Sequence, residues 1–395
     1  MATWPRGWLR AGSMRNIIED SAVNAIARPW KEAMMAGIKD VARAAGVSVS
    51  TVSYVLSGKR AISEKTASKV MEAIRELKYT PDASAQKMRG RRNQILAVSE
   101  PIRGDINEAK YNAYFLHTAW QAKNAGYDVL LLTGEDAVDD IQRVTRSNMV
   151  DGVVLLDIVE DDDRVMQADS YGKPCVAIGY PTHRGDCACV DVDFDAAAAL
   201  AMDYLYEHGH RTVALLRDNE RDYARRSGYV VTLRQRMLDR AAELGMRVVE
   251  SGRNEADRFD AAAFVRDLMA MDPRPTAIVN QASATVLNMV MQELVERGMD
   301  IPSDISVLSV GTFFENDLVV RPVTEIPLMP RLLCSKAVGL LVSAVEGGAD
   351  IADASEFVLP QVQEHGSVLT VGPADSVGLA VPSPYSKTSL VESVA

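Results

Sequence analysis

Beyond residue 92 the chain breaks into short apolar runs separated by amphipathic stretches: "ILAVS", "YDVLLLT", "DGVVLLD", "KPCVAIGY", "TVALLR", "MRVVES", "TAIVN" and "DISVLSV". Near-continuous apolar runs of this length are what strands buried on both faces require, and helical stretches between them are the crossovers that parallel strands need. Repeated strand-helix units imply parallel sheets covered by helices on both faces. There are too many runs for one small sheet, which predicts two lobes with a ligand cleft between them. With 395 residues and 47% hydrophobic content the chain can bury a sizeable core, and its length suits two or three domains.

Charge divides the chain unequally. Residues 37–92 hold twelve Lys or Arg against five acids, a local +7, whereas the whole chain carries -11 and the remainder therefore -18. A small basic module on a large acidic body approaches phosphate with one end while the rest is repelled. No apolar run approaches the roughly 18 residues that span a bilayer, and the N-terminus lacks an export layout, so a cytoplasmic location is expected. The four cysteines are too few for a disulfide framework; Cys187 and Cys189, in the strand-like "CACVDVDF", read as packing residues rather than metal or redox groups.

The basic segment has the grammar of three helices. Residues 38–45 carry apolar side chains at helical spacing and end at Gly46, which can take the positive backbone angle of a sharp turn. Ser48 caps a second helix running to Leu56. Ala42, Gly46 and Val52 supply a small residue where two helices touch, a glycine in the turn and a branched residue wedged between them, the packing logic of a helix-turn-helix. On the second helix Val49, Ser50, Tyr54 and Ser57 face away from the apolar side, as candidates for base and phosphate contact. Ser63 caps a third helix whose apolar stripe is Ala67, Val70, Ile74 and Leu77; Asp82 can cap one more, too short to be stable alone, ending at Gly90 beside Arg89, Arg91 and Arg92.

From residue 38 to 90 the chain resembles the lactose-repressor family of bacterial transcription regulators, through "DVARAAGVSVSTVS", "ISEKTASKVMEAIRELKYTP" and the hinge "SAQKMRG". The resemblance implies that Gly37, Ser48, Val49, Ser50, Thr51, Ser53, Tyr54, Ser57 and Lys59 contact DNA from the head. It also implies that hinge helices from two subunits (residues 82–90) enter the minor groove side by side, with Met88 as the apolar wedge, Ala85 at the hinge-hinge contact and Arg89 beside the DNA. Two departures matter. Tyr54 stands where many members have a guanine-reading arginine, which points to a different half-site, and Gly37 stands where a capping Thr is common.

The resemblance continues through the body, with "DFDAAAALAMDYLYEHGHRTVALL" and "RGMDIPSDISVLSVG" as matching stretches, and implies a periplasmic-binding-protein-like architecture over residues 93–370. Arg225, three residues before Gly228, matches the family arginine that faces the cleft and pairs with ligand hydroxyls or carboxylate; equally, it can form a lobe-lobe salt bridge. Asp193 with Phe194, Ser283 with Ala284, and Gly311-Thr312-Phe313-Phe314 occupy positions where members commonly place carboxylate and amide ligands. Phenyl rings cannot accept sugar hydroxyls, so the expected effector is not an ordinary free sugar, or the cleft has lost its ligand.

His208 and His210 lie in a helix-to-strand turn and read as structural, and no catalytic constellation or phosphate-cradling loop is present, so neither an enzymatic role nor a cofactor is expected. A transport solute-binding protein would share the body but not the basic head. Residues 1–36 precede the usual family start, with Met34 or Met35 as alternative initiation sites, and residues 371–395, rich in Ser and Pro, read as disordered. The expectation is thus an α plus α/β protein: a three-helix helix-turn-helix module with a hinge helix (residues 37–92), then a two-lobed α/β body. Its partners would be a DNA operator, a small-molecule effector and a second copy of itself. The alternative is a body that serves only dimerisation or a protein co-effector.

Overall fold

The computed structural model describes residues 37–57, 60–77, 79, 92–104, 108–252, 254, 258–312 and 318–372. The chain divides into two compact units between Arg92 and Asn93.

The first unit consists of α1 (Ile38–Ala45), α2 (Val49–Ser57) and α3 (Glu64–Glu76). Gly37 has no side chain to cap α1, and instead Asp40 accepts from the Gly37 backbone N–H at 3.0 Å, the return half of a capping box. Gly46 ends α1 with φ +65°, a left-handed conformation natural to glycine, and Val47 N–H donates back to Ala42 at 3.0 Å. Ser48 Oγ accepts from Thr51 N–H at 3.1 Å and Ser63 Oγ from Thr66 N–H at 3.3 Å, so both later helices are capped as their sequences predict. Val41, Ala42, Val52, Val70 and Ala73 form the buried centre, with Ile74 and Leu77 packed against it. Within the predicted stripe of α3, Val70 is fully buried and Ala67 only half-buried; Ala73, outside that stripe, lies deeper than either neighbour on its side.

The second unit begins with β1 (Ile95–Ser99), α4 (Glu108–Asn124), β2 (Asp128–Leu132), α5 (Ala137–Arg146), β3 (Gly152–Leu155), α6 (Asp163–Met166), β4 (Cys175–Ile178) and β5 (Ala188–Val192). The chain then crosses to a second lobe through α7 (Phe194–Glu207), β6 (Thr212–Leu216), α8 (Glu220–Ala224), α9 (Gly228–Glu243), β7 (Arg247–Glu250), α10 (Ala261–Met269), β8 (Ala277–Asn280), α11 (Ala284–Glu296), β9 (Ser306–Thr312) and β10 (Thr324–Pro327). It returns to the first lobe with α12 (Pro330–Gly347) and β11 (Ser355–Val358), and crosses once more when Glu325 and Gln363 exchange backbone hydrogen bonds of 2.8 and 2.9 Å.

Both sheets are parallel, in the orders β11-β5-β4-β3-β1-β2 and β10-β9-β8-β6-β7. Every predicted run became a strand, and the strands β3, β4, β5, β6, β8 and β9 are buried along their whole length. Sequence periodicity did not single out β10 ("TEIP") and β11 ("SEFV"). Both are sheet edges carrying a glutamate, and an edge strand needs no continuous apolar run. One apolar cluster runs through both lobes, from Leu96 and Val154 to Leu215 and Leu308, and a separate cluster covers the opposite face of each sheet. Cys175, Cys187, Cys189 and Cys334 are all buried as free thiols. His210 is buried with Nδ1 2.8 Å from Thr276 Oγ1. Among the described residues no helix is long and apolar enough to cross a membrane.

The head's buried centre is small, so its turn geometry matters. Gly46→Val forces a branched residue into a left-handed conformation at a cost of about 1–2 kcal/mol. The expected outcome is faster amide exchange across α1 to α3 in the full chain, with exchange in the two lobes unchanged; protection that stays at the wild-type level in all three helices would show that the turn does not limit head stability.

Candidate functional site

The outward face of α2 combines small hydroxyl side chains with Val49 and Tyr54. Val49 and Ser50 are exposed, Tyr54 is 37% exposed, and Thr51 and Ser53 are half-buried. Ser48 Oγ lies 2.8 Å from both Ser50 Oγ and Thr51 Oγ1, so the hydroxyls at the start of the helix form one cluster that also holds the cap. The Arg60 guanidinium sits 5.8 Å from the Tyr54 ring centroid, a cation-π contact that pairs an aromatic face with a positive charge at this surface. Ser57 is the last residue of α2. Lys59, Ala85, Met88 and Arg89, and with them the hinge, lie outside the described residues.

In the body the parallel strands deliver polar groups to one place. In an open parallel sheet ligands bind beyond the carboxyl ends of the strands, and here those ends face each other across the lobes. Glu100 follows β1, Asp157 follows β3, Tyr180 follows β4, Phe194 follows β5, Ser283 follows β8 and Leu328 follows β10; all of them line the interlobe cleft. Three adjoining chambers make up this cleft, of about 40, 200 and 390 Å3. Tyr229 is shared by the first two, and Tyr180, Asp191 and Phe194 by the first and third.

Asp157 is the electrostatic centre. Its carboxylate receives Arg225 at 2.7 Å from the other lobe, and Arg103 at 2.8 Å and Lys110 at 3.5 Å from its own. Burial alone would raise its pKa, yet the three cations hold it well below the usual carboxylate range. Arg225 also donates to Asp222 at 2.8 Å, and its own pKa is raised by the two carboxylates against the opposing effect of burial. Around this pair the two lobes join by backbone: Glu160 N–H donates to Arg226 C=O at 3.0 Å, Gly228 N–H to Ile158 C=O at 3.2 Å, and Arg226 pairs with Glu160. Behind Asp157, buried Arg164 binds Asp162 at 2.7 Å and donates to the carbonyls of Ser99 and Leu156, fixing the ends of β1 and β3.

Three further carboxyls in or beside the cleft behave oppositely. Burial, reinforced by Asp157, pushes Glu100 up to about 8 even though Lys110, Arg164 and Arg103 oppose the shift. Burial pushes Asp191 up to about 7 against backbone N–H bonds from Val192 and Tyr180. Asp218 is pushed up to about 6, by burial and by Asp222, and accepts from the Tyr229 hydroxyl at 3.1 Å. The Lys110 ammonium lies 4.2 Å from the Tyr229 ring centroid, and the Phe194 and Tyr229 rings are 6.0 Å apart.

Asp193 caps α7 through a 2.9 Å bond from Ala196 N–H, and Ser283 caps α11 through a 3.4 Å bond from Val286 N–H; both line chambers of the cleft, as does Phe194. Of the two roles open to Arg225 in the sequence, the structure displays the lobe-lobe salt bridge. Phe313 lies outside the described residues. Sequence reasoning did not single out Glu100, Lys110, Tyr114, Asp157, Asp191 or Tyr229. A usable signal existed for the carboxylates: Glu100 and Asp157 stand where apolar strand runs end, and Asp191 sits inside one. Lys110, Tyr114 and Tyr229 lie on long helices with no such mark.

Two family models match. Residues 37–82 match the bacterial regulatory proteins of the lacI family, and residues 202–368 match the periplasmic binding protein-like domain. Among curated proteins the chain is 25% identical over 323 residues to the HTH-type transcriptional regulator MalR of Staphylococcus xylosus, covering 79% of this chain and 92% of that protein. It is also 25% identical over 321 residues to the HTH-type transcriptional repressor PurR of Pasteurella multocida, with the same coverage. Among solved structures, the lac repressor dimer bound to operator and the anti-inducer ONPF superimposes with a TM-score of 0.68 at 19% identity, over 85% of this chain and 99% of that one. A transcriptional regulator CelR-cellobiose complex gives 0.56 at 23% identity, over 84% and 99%. The chain therefore carries a head that matches the lacI family of bacterial regulatory proteins and a body that matches the periplasmic binding protein-like domain, and it is similar to regulators of this kind along most of its length.

Proposed function

We propose that this protein is a sequence-specific, non-enzymatic transcription repressor of the cytoplasm that binds a pseudo-palindromic operator as a homodimer and is switched by a small-molecule effector in the interlobe cleft. The observation that carries this reading is the combination, in one chain, of a recognition helix with a solvent-facing polar surface and a body whose strand ends converge on an ion-paired cleft. The relatives named as regulators and repressors support the direction of control. Exposed apolar side chains support the homodimer: Leu116 and Trp120 on α4, and Met289, Leu318 and Val320 around α11. Lobe one fixes the entry of the chain into the body, because Asp151 accepts from the backbone N–H of Asn93 at 3.1 Å and of Gln94 at 2.6 Å. A rotation of that lobe against its partner copy would therefore be passed directly to residues 93 and 94.

The commitment of Arg225 to Asp157 and Asp222 favours a second reading, in which the body closes on its own ion pairs and serves dimerisation or a protein co-effector. Selection of bound duplexes from a random DNA pool at fixed, near-physiological salt tests the operator half of the proposal. A pseudo-palindrome is the expected result, and a folded dimer that selects no motif would overturn it.

Two variants separate base reading from backbone contact. Tyr54→Ala is expected to weaken the selected site by about 1–3 kcal/mol and relax preference at one position in each half-site, with the salt dependence unchanged. Arg89→Ala is expected to weaken all sequences alike and to flatten the slope of log K against log salt by about 1 per subunit contact. Reversal of these two patterns in binding titrations would exchange the assigned roles.

Asp157→Asn leaves Arg225, Arg103 and Lys110 without their shared anion, costing the closed body roughly 3 kcal/mol or more. An increased radius of gyration in small-angle scattering and an altered operator affinity are expected. Because the Asp157 carboxyl is held low, its pair contributes fully above the ordinary carboxylate range and is lost only as pH falls through and below it. Wild-type lobe separation should accordingly be constant from pH 6 to 8 as far as this pair is concerned.

A further inference from the structure

We propose that the cleft takes an organic cation with a primary ammonium group, seated against the Glu100 and Asp191 carboxylates beside Tyr114. The proposal rests on the reading of the cleft as the effector site and names the chemical class of ligand.

The walls of the cleft are acidic. Among the described residues, its three chambers are lined by Glu100, Asp157, Asp191, Asp193, Asp195 and Asp218, against Lys110 and Arg236 as cations. Those cations are already engaged, Lys110 with Asp157 at 3.5 Å and Arg236 with Asp195 at 2.8 Å. Glu100 and Asp191 differ from the rest. Glu100 is only 5% exposed, lines the innermost chamber, and its Oε2 has no hydrogen-bond partner among the described residues. Asp191 is 8% exposed, and its Oδ1 accepts from its neighbour Val192 N–H at 2.8 Å. Among the described residues no ion pair reaches either carboxylate.

A buried carboxylate without a counter-charge either holds a proton or waits for a cation. The groups that face Glu100 are Asp157, Lys110, Arg164 and Arg103, with Tyr111 and Tyr114 close by; those that face Asp191 are Lys110 and Tyr114. Tyr114 brings no charge of its own: burial, with Asp191, Cys334 and Glu100 adding to it, pushes its phenol far up and keeps it a neutral hydroxyl. The innermost chamber, of about 40 Å3, holds one ammonium-sized group. The adjoining chamber of about 390 Å3 shares Tyr180 and Phe194 as walls and leaves room for a short chain. The aromatic faces attract a cation as well, and the cleft shows this with its own Lys110 over Tyr229. A neutral polyol hydrogen-bonds to the same oxygens but gives the acids no reason to lose their protons, so it gains no ion pair in the low-dielectric site.

The site also fixes a pH signature. An ammonium ligand prefers Glu100 and Asp191 ionised, so binding expels the protons they hold below about pH 8 and 7, and affinity rises with pH across that window.

The test is calorimetry on the full chain with 1,4-diaminobutane and its neutral isostere 1,4-butanediol, at pH 6 and 8, in buffers of different ionisation enthalpy. The diamine is expected to bind at least tenfold more tightly than the diol and severalfold more tightly at pH 8 than at pH 6, with proton release. Glu100→Gln should weaken the diamine at least tenfold, and Asp191→Asn, should Glu100→Gln fail to fold, gives the same reading. Diol binding as tight as diamine binding, or proton uptake in place of release, overturns the proposal. If the amine fails while a neutral or anionic metabolite binds and is blocked by Phe194→Trp, the ammonium class is wrong and the cleft remains the effector site. If no cationic, neutral or anionic compound in a metabolite panel gives heat or shifts the melting temperature, both the class and the effector reading fall.

Discussion

The body is organised around one buried carboxylate. Asp157 is drawn to the end of β3 by an apolar strand that has no freedom to place it elsewhere, and there it collects cations from both lobes. An anion so placed is expensive unless it is paired, and once paired it is hard to separate, because parting Arg225 from Asp157 strands a charge on each side. Lobe closure thus acquires a discrete latch rather than a graded attraction. The backbone bonds between residues 158–160 and 226–228 join the lobes on the same two segments that carry the ion pair.

The same strand geometry places carboxylates that lack this compensation. Glu100 and Asp191 arrive at the cleft by the rule that brings Asp157, yet the nearby cations are spent on Asp157 before reaching them. The outcome is a site in which acids one or two strands apart in sheet order have opposite protonation preferences, Asp157 held ionised, Glu100 pushed up to about 8 and Asp191 to about 7. Placing one held-low carboxylate beside held-high ones separates structure from response: the latch keeps its charge across the physiological range while the neighbouring acids remain able to change theirs.

Fold class was legible in the sequence because it depends on features that local residues set. Apolar runs separated by amphipathic stretches determine parallel strands, and Gly46, Ser48 and Ser63 determine where the head's helices stop and start. The edge strands β10 and β11 were not legible, since each is only four residues long and breaks the apolar pattern with a glutamate, buried in β10 and half-buried in β11. The cleft was legible in part. Asp193, Phe194 and Ser283 stand where the family resemblance points, but the resemblance implied ligand contact for Asp193 and Ser283, and in the structure both also cap helices. Arg225 carried two meanings in the sequence, of which the lobe-lobe pair depends on its distance to Asp157, 68 residues away, a tertiary property. Lys110, Tyr114 and Tyr229 are set by helix rotation over the sheet ends, a tertiary property with no local code.

A ligand shifts such a latch only by binding one lobe arrangement more tightly than the other. The geometry restricts how that can happen here. An anionic ligand would compete with Asp157 for Arg225 and so would pull the latch apart from inside. A cationic ligand at Glu100 and Asp191 leaves the Arg225 pair intact; both acids and Tyr114 belong to the first lobe, so such a ligand senses the lobe arrangement through the second-lobe walls of the same chamber, Ser227, Gly228 and Tyr229. Under the proposed effector reading, the sign of the ligand's charge therefore decides whether the latch is contested: a cation leaves the Arg225 pair with Asp157 in place, and an anion competes for it.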